Sequence, residues 1–141
     1  MESLYVPSAG FKYRPYFSEA HVKEGRFVPV MDGKTVFKMA VTKMPEAVHE
    51  VCAKAGVTLD DIDLLIPHQA NLRISEAVQK ALKLPDDRVY NNIQKYGNTT
   101  AATIPIAYDE CKKSGRVKQG DLVCFVGLGA GFHWGAALMR E

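Results

Sequence analysis

The 141 residues are 47% apolar, enough for one globular domain with a core of its own. Eighteen basic residues against 16 acidic ones leave a net charge of +2, too even a balance to imply nucleic acid or a membrane surface as partner. No run approaches the ~18 apolar residues of a membrane span, and the N-terminus lacks the plan of a signal peptide. Cys52, Cys111 and Cys124 show no paired spacing, which argues against a disulfide framework or a zinc site, so a cytoplasmic chain with reduced thiols is expected.

Residues 1–32 have no sustained period and carry Pro7, Gly10, Pro15, Gly25 and Pro29 among Tyr5, Phe11, Tyr13, Tyr16, Phe17 and Phe27. They read as an irregular connecting or lid segment, too aromatic for disorder and expected to pack across something, ahead of a domain formed by residues 33–141. Gly33 precedes a helical stretch in which Phe37, Ala40, Val41, Met44, Ala47, Val48, Val51, Cys52 and Ala55 recur at three and four, with Gly56 as its stop. Pro45 predicts a kink in it, or a division into two helices. Ile62 to Ile66 is an apolar strand of the kind covered on both faces, closed by Pro67. The helix that follows runs to about Leu82 with Ile74, Ala77, Val78, Ala81 and Leu82 as its stripe, and Pro85 stops it. Arg88 to Ile93 reads as a second strand, Thr99 to Lys113 as a helix begun by small residues, and Leu122 to Val126 as another apolar strand. Phe132 to Met139 is the last strand. Gly127 to Gly131 is too short a connection for a crossover, so the final pair should be antiparallel. The expected fold is α/β, a mixed and mainly parallel sheet with helices on both faces.

Two polar residues stand out by position. His68 follows the first strand and Asn98 follows the second, so two strand-to-helix turns deliver them to one sheet edge, where open α/β sheets bind ligands. A neutral imidazole and a carboxamide each offer an N–H, and two donors converging on one oxygen would stabilise an enolate or oxyanion. Each also has a plainer reading, His68 as a hydrogen-bonded structural histidine and Asn98 as a turn former. The Gly127 to Gly131 stretch has no helix after it to supply a dipole, so it is read as a turn that lets backbone approach a ligand, or as a flexible hairpin. Cys52 and Cys124 read as core thiols, and Cys111, near a helix C-terminus, lacks the positive dipole that activates a thiol. His21, His49 and His133 have no metal-ligand spacing. Lys38 and Arg73, taken singly, read as ordinary solvated charges.

From about Met31 to Arg140 the chain resembles the C-terminal half of a β-ketoacyl-acyl carrier protein synthase III, a thiolase-fold condensing enzyme. Four ordered motifs carry the resemblance: Met31-Asp32-Gly33-Lys34-Thr35-Val36-Phe37-Lys38, Pro67-His68-Gln69-Ala70-Asn71-Leu72-Arg73, Tyr96-Gly97-Asn98-Thr99-Thr100-Ala101-Ala102, and Gly127-Leu128-Gly129-Ala130-Gly131-Phe132-His133-Trp134-Gly135. It implies decarboxylative condensation of an acyl thioester with malonyl-acyl carrier protein, in fatty acid or related polyketide synthesis, without a cofactor or metal and with coenzyme A and carrier-protein thioesters as substrates. It further implies that His68 and Asn98 stabilise the enolate and that the Gly129-Ala130-Gly131 loop gives a backbone N–H to the acyl-enzyme oxyanion. Gly33 and Phe37 match positions beside the pantetheine tunnel, Asn71 a polar position that orients the site, and Lys38 and Arg73 the basic rim that meets the acidic carrier protein.

The implied partners are that carrier protein, the missing N-terminal half on the same or a separate chain, and further copies in a homo-oligomer. Two departures stand beside the matches. The family's nucleophilic cysteine lies in its N-terminal half and has no equivalent here, so this chain alone is expected to be inactive. The family's first edge strand also has no counterpart, leaving strands in the order Tyr90, Leu64, Val123, Ala136 and an unpaired edge beside Ala136. The alternatives are a non-catalytic module that binds acyl thioesters or carrier protein, and half of a related acyltransferase acting on an alcohol or amine.

Overall fold

The computed structural model describes residues 3–8 and 17–141. Of the aromatic residues in the N-terminal segment, Phe11, Tyr13 and Tyr16 lie outside the described residues. The rest of that segment forms β1 (Leu4–Tyr5), α1 (Glu19–Lys23) and β2 (Val30–Met31), with β1 and β2 paired antiparallel and Phe17 stacked on Phe27 at 5.5 Å between ring centroids.

Asp32 then starts the long helix α2 (Gly33–Ala55), its carboxylate accepting from the N–H groups of Lys34 at 3.1 Å and Thr35 at 3.2 Å, the donors a helix leaves unpaired at its start. Gly56 ends it in the left-handed region at φ 69°. The expected division at Pro45 does not occur, and α2 runs through it as one element. Pro45 is itself buried, between Met44 and the buried Ala47 and Val48. Tertiary packing of that face therefore outweighs the one backbone hydrogen bond that proline removes.

The main sheet has the order β3 (Leu64–Pro67), β4 (Leu122–Gly129), β5 (His133–Arg140). β3 and β4 are parallel with Leu64 opposite Val123, and β4 and β5 are antiparallel from Leu122 opposite Arg140 to Gly129 opposite His133. β4 thus continues through Gly127 to Gly129, and only Ala130, Gly131 and Phe132 make the turn. α3 (Leu72–Leu82), α4 (Ile93–Tyr96) and α5 (Thr103–Lys113) lie between β3 and β4 in the chain.

The expected strand at Arg88 to Ile93 is corrected to a single parallel bridge, Val89 opposite Leu65, with the Tyr90 N–H donating to the Leu65 carbonyl at 3.0 Å. The segment lies at the edge of β3 as expected. It leaves the ladder at once because the N–H groups of Asn92 and Ile93 go to the side chain of Gln69 instead, at 3.0 and 3.2 Å. The expected helix from Thr99 is likewise shorter: Thr100–Ala102 is a 3-10 turn, and the α-helix proper starts at Thr103.

Alternation along the strands divides the core in two. Leu65 of β3 with Cys124, Val126 and Leu128 of β4 faces α2 and α3, packing on Met44, Val48, Ile74, Val78 and Leu82. Leu64, Ile66 and Val123 face the other way, onto Ala107 and Cys111 of α5. Helices therefore cover both faces. Leu65, with no exposed surface, contributes about 1.5–3 kcal/mol of burial energy alone.

Candidate active site

His68 is fixed by the sheet. Its backbone N–H donates to the Val126 carbonyl at 2.7 Å, which carries the β3–β4 ladder one residue past Pro67. The β4 backbone passes close under it at Gly127, where an added Cβ would stand 3.4 Å from the His68 Cβ. The imidazole is half-buried, and desolvation holds it below its ordinary value, so the ring is neutral at pH 7. A neutral ring has one N–H. Nδ1 lies 2.6 Å from the hydroxyl of the buried Thr103, which leaves Nε2 for a ligand.

Asn98 is placed by a chain of contacts that starts beside His68. Gln69 is buried, its oxygen accepting from the Asn92 and Ile93 N–H groups and its nitrogen donating to the Pro67 carbonyl at 2.7 Å. That ties the His68 turn to α4, whose end is the Gly97 that precedes Asn98. From α5, Glu110 accepts from the Asn92 side chain at 2.7 Å, from the Tyr96 hydroxyl at 2.7 Å, from the Tyr90 hydroxyl at 3.2 Å and from Lys95. Asn98 Oδ1 accepts from the Thr100 N–H at 2.8 Å. Only the oxygen end of the carboxamide can accept that hydrogen, so the orientation of the group is set and its NH2 is the free end.

His68, Asn98 and Gly129 stand in the wall between two cavities of about 600 and 610 Å³ and line both. The first is roofed by Leu4 and Met31 from the N-terminal segment and also brings Gly33, Phe37, Asn71 and Arg73 to the same space. The Arg73 guanidinium lies over the Phe37 ring, 5.8 Å from its centroid. Asn71 is the N-cap of α3, its oxygen accepting from the Arg73 N–H at 3.0 Å, which orients its amide nitrogen as the donor end. The second cavity is lined by Thr103, Ala130, His133 and Trp134 among others.

Lys38 and Gly131 line neither cavity. Lys38 is exposed on α2. Gly131 has φ 134°, and a Cβ there would fall 2.0 Å from Nδ1 of His133, which is why the turn holds a glycine. Thr103, Gln69 and Glu110 were not singled out by sequence reasoning. The only local signal for them was Gln69's place beside His68.

The three thiols are buried, and burial pushes Cys52 up, Cys111 to about 11 and Cys124 to about 12. None is suited to nucleophilic attack. Among the described residues, no group of three or more His, Cys, Asp or Glu side chains is placed to hold a metal ion, and no helix is long and apolar enough to cross a membrane.

A sheet edge that receives a histidine from a strand end and an asparagine from a following turn, with helices on both faces, is the C-terminal half of a thiolase-type fold. Solved 3-oxoacyl-acyl carrier protein synthase III structures superpose on it. That from Aquifex aeolicus shares 49% identity with a TM-score of 0.80 over 82% of this chain and 37% of that one. That from Pseudomonas aeruginosa shares 38% with a TM-score of 0.85 over 99% of this chain and 41% of that one. Residues 52–141 match the family model for the 3-oxoacyl-[acyl-carrier-protein] synthase III C terminal, and the chain belongs to that family. The β-ketoacyl-[acyl-carrier-protein] synthase III of Caldanaerobacter subterraneus is 44% identical over 97% of this chain. The match spans 41% of that relative's length, so this chain corresponds to its C-terminal part.

Proposed function

We propose that this chain supplies the decarboxylation donors of a β-ketoacyl-acyl carrier protein synthase III. The observation that carries the reading is the pinning of Asn98 by the Thr100 N–H, which frees its NH2 in the wall that it shares with His68. A malonyl thioester oxygen between Nε2 of His68 and Nδ2 of Asn98 would meet two donors already turned toward it. As the carbon–carboxylate bond breaks and carbon dioxide leaves, its electron pair moves into the thioester as an enolate. The oxygen then carries the charge those donors stabilise. The enolate carbon next attacks an acyl thioester carbonyl, and the acyl-bearing thiolate leaves. That thiolate belongs to a cysteine outside these 141 residues, because the three thiols here are buried and held protonated.

The backbone at Gly129 and Ala130 is the proposed oxyanion contact, the Gly33 and Phe37 side of the first cavity the proposed path of the pantetheine arm, and Asn71 the proposed orienting group. Arg73 at the cavity mouth and the exposed Lys38 are the proposed contacts of an acidic carrier protein. The reaction so read needs no cofactor and belongs in the cytoplasm, with the whole enzyme a homo-oligomer.

The test is malonyl-thioester decarboxylation and condensation by this chain alone, and by this chain mixed with the cysteine-bearing N-terminal half. Activity on mixing, reduced about 10²–10³-fold in kcat by His68→Ala or by Asn98→Ala, is the expected result. A folded mixture in which both variants match the wild type would overturn the reading. Thioester binding without turnover would assign the chain as a binding module.

A further inference from the structure

The site just described works only if the one hydrogen of a neutral His68 is on Nε2, and nothing in the ring itself guarantees that. The structure places one group against the other ring nitrogen. Thr103, the first residue of α5 and 2% exposed, has its hydroxyl oxygen 2.6 Å from Nδ1 and 3.1 Å from the Thr100 carbonyl oxygen. A hydroxyl has one hydrogen to give, and here it has two acceptors.

In one arrangement the hydrogen goes to Nδ1, and the ring hydrogen must then sit on Nε2. In the other it goes to the Thr100 carbonyl, Nδ1–H donates to the hydroxyl, and Nε2 shows a lone pair to the cavity. The Nδ1 contact is made in both, so the Thr100 carbonyl decides between them. That carbonyl already accepts from the backbone N–H of Thr103, and Thr100 is exposed to solvent, so it has partners without the hydroxyl, whose hydrogen is then left for Nδ1.

We propose that Thr103 is a positioning residue that gives its hydroxyl hydrogen to Nδ1 of His68 and so keeps the ring hydrogen on Nε2, where a substrate oxygen can use it. The inference rests on the donor reading of His68 and Asn98 and adds what holds the first donor in its competent tautomer. It also accounts for a buried hydroxyl at the start of α5, a place where a small apolar residue would fill the same space.

The experiment is ¹⁵N spectroscopy of the histidine rings in the full chain, with the His68 signals assigned by their loss in His68→Gln. A protonated Nε2 and an unprotonated, hydrogen-bonded Nδ1 are expected. Thr103→Val should move the Nδ1 resonance as its hydrogen bond is lost, and Thr103→Ser should leave it in place. In the mixed-half assay Thr103→Val should lower kcat for decarboxylation about tenfold with KM unchanged, and Thr103→Ser should restore it.

A protonated Nδ1 in the wild-type protein overturns the proposal without need of any variant, so a Thr103→Val that fails to fold does not protect it. An Nδ1 resonance indifferent to Thr103→Val overturns it too. Failure of the two readings is separable. Protonated Nε2 in a mixture that does not decarboxylate sinks the donor reading, whereas protonated Nδ1 in an active mixture sinks the threonine pairing alone.

Discussion

Four donors from one short stretch of the chain converge on the carboxylate of Glu110: the side chains of Tyr90, Asn92, Lys95 and Tyr96. Hydrogen bonds from Asn92, Lys95 and Tyr96 favour its charged form and hold it near 2, against an ordinary value of 4.5, while the same contacts raise Lys95. Between those two pH values the unfolded chain binds a proton that the folded chain declines. Stability supplied by Glu110 is therefore complete above about 4.5 and is lost as the pH falls toward about 2. His68 acts in the same direction at higher pH, since burial keeps it neutral where the unfolded chain, near 6.5, takes up a proton. Urea midpoints measured from pH 7 to pH 2 should fall in both ranges. Glu110→Gln should flatten the lower one, and a midpoint that drops as steeply without the carboxylate would show that other groups drive it.

At the scale of elements, the link between β3 and α4 runs through Gln69. Gln69→Leu keeps the volume but orphans the N–H groups of Asn92 and Ile93 in a buried place. It should lower stability by about 1–3 kcal/mol for each group left unpaired, and should lower decarboxylation by letting Asn98 drift. Thermal unfolding and the mixed-half assay read the two effects, and a variant with wild-type values in both would remove Gln69 from the positioning chain.

The same residue marks the limit of what the sequence showed. The α3 stripe was legible because Ile74, Val78 and Leu82 obey a local period and are all buried. His68 and Asn98 were legible because a strand end and a Gly-Asn turn are local signals. The strand expected at Arg88 to Ile93 failed because its amides are captured by a side chain more than twenty positions away. Thr103 and Glu110 were missed because their partners likewise lie far along the chain. At Pro45 the local rule was sound and the packing of α2 overrode it.

At the scale of the molecule, β5 pairs with β4 along one edge, and among the described residues no strand pairs with its other edge. Ala137 on it is exposed, and Trp134 is 44% exposed with Lys43 over its ring at 5.6 Å. An open edge beside an uncovered aromatic is a template for another strand. Sedimentation velocity should show association of this chain that rises with concentration and is weakened by Ala137→Lys. A clean monomer at high concentration would contradict it.

The two donors are mounted differently. His68 is joined through its own amide to the central strand β4, whereas Asn98 sits in an exposed turn between a four-residue helix and a 3-10 turn, held by the N–H of Thr100. One is a fixed post and the other a short arm on a pivot. On the proposed reading, an oxygen that moves outward as its bond to carbon lengthens from thioester to enolate would keep its distance to the post and be followed by the arm. The tolerance of the pair for different thioesters would then lie on the asparagine side.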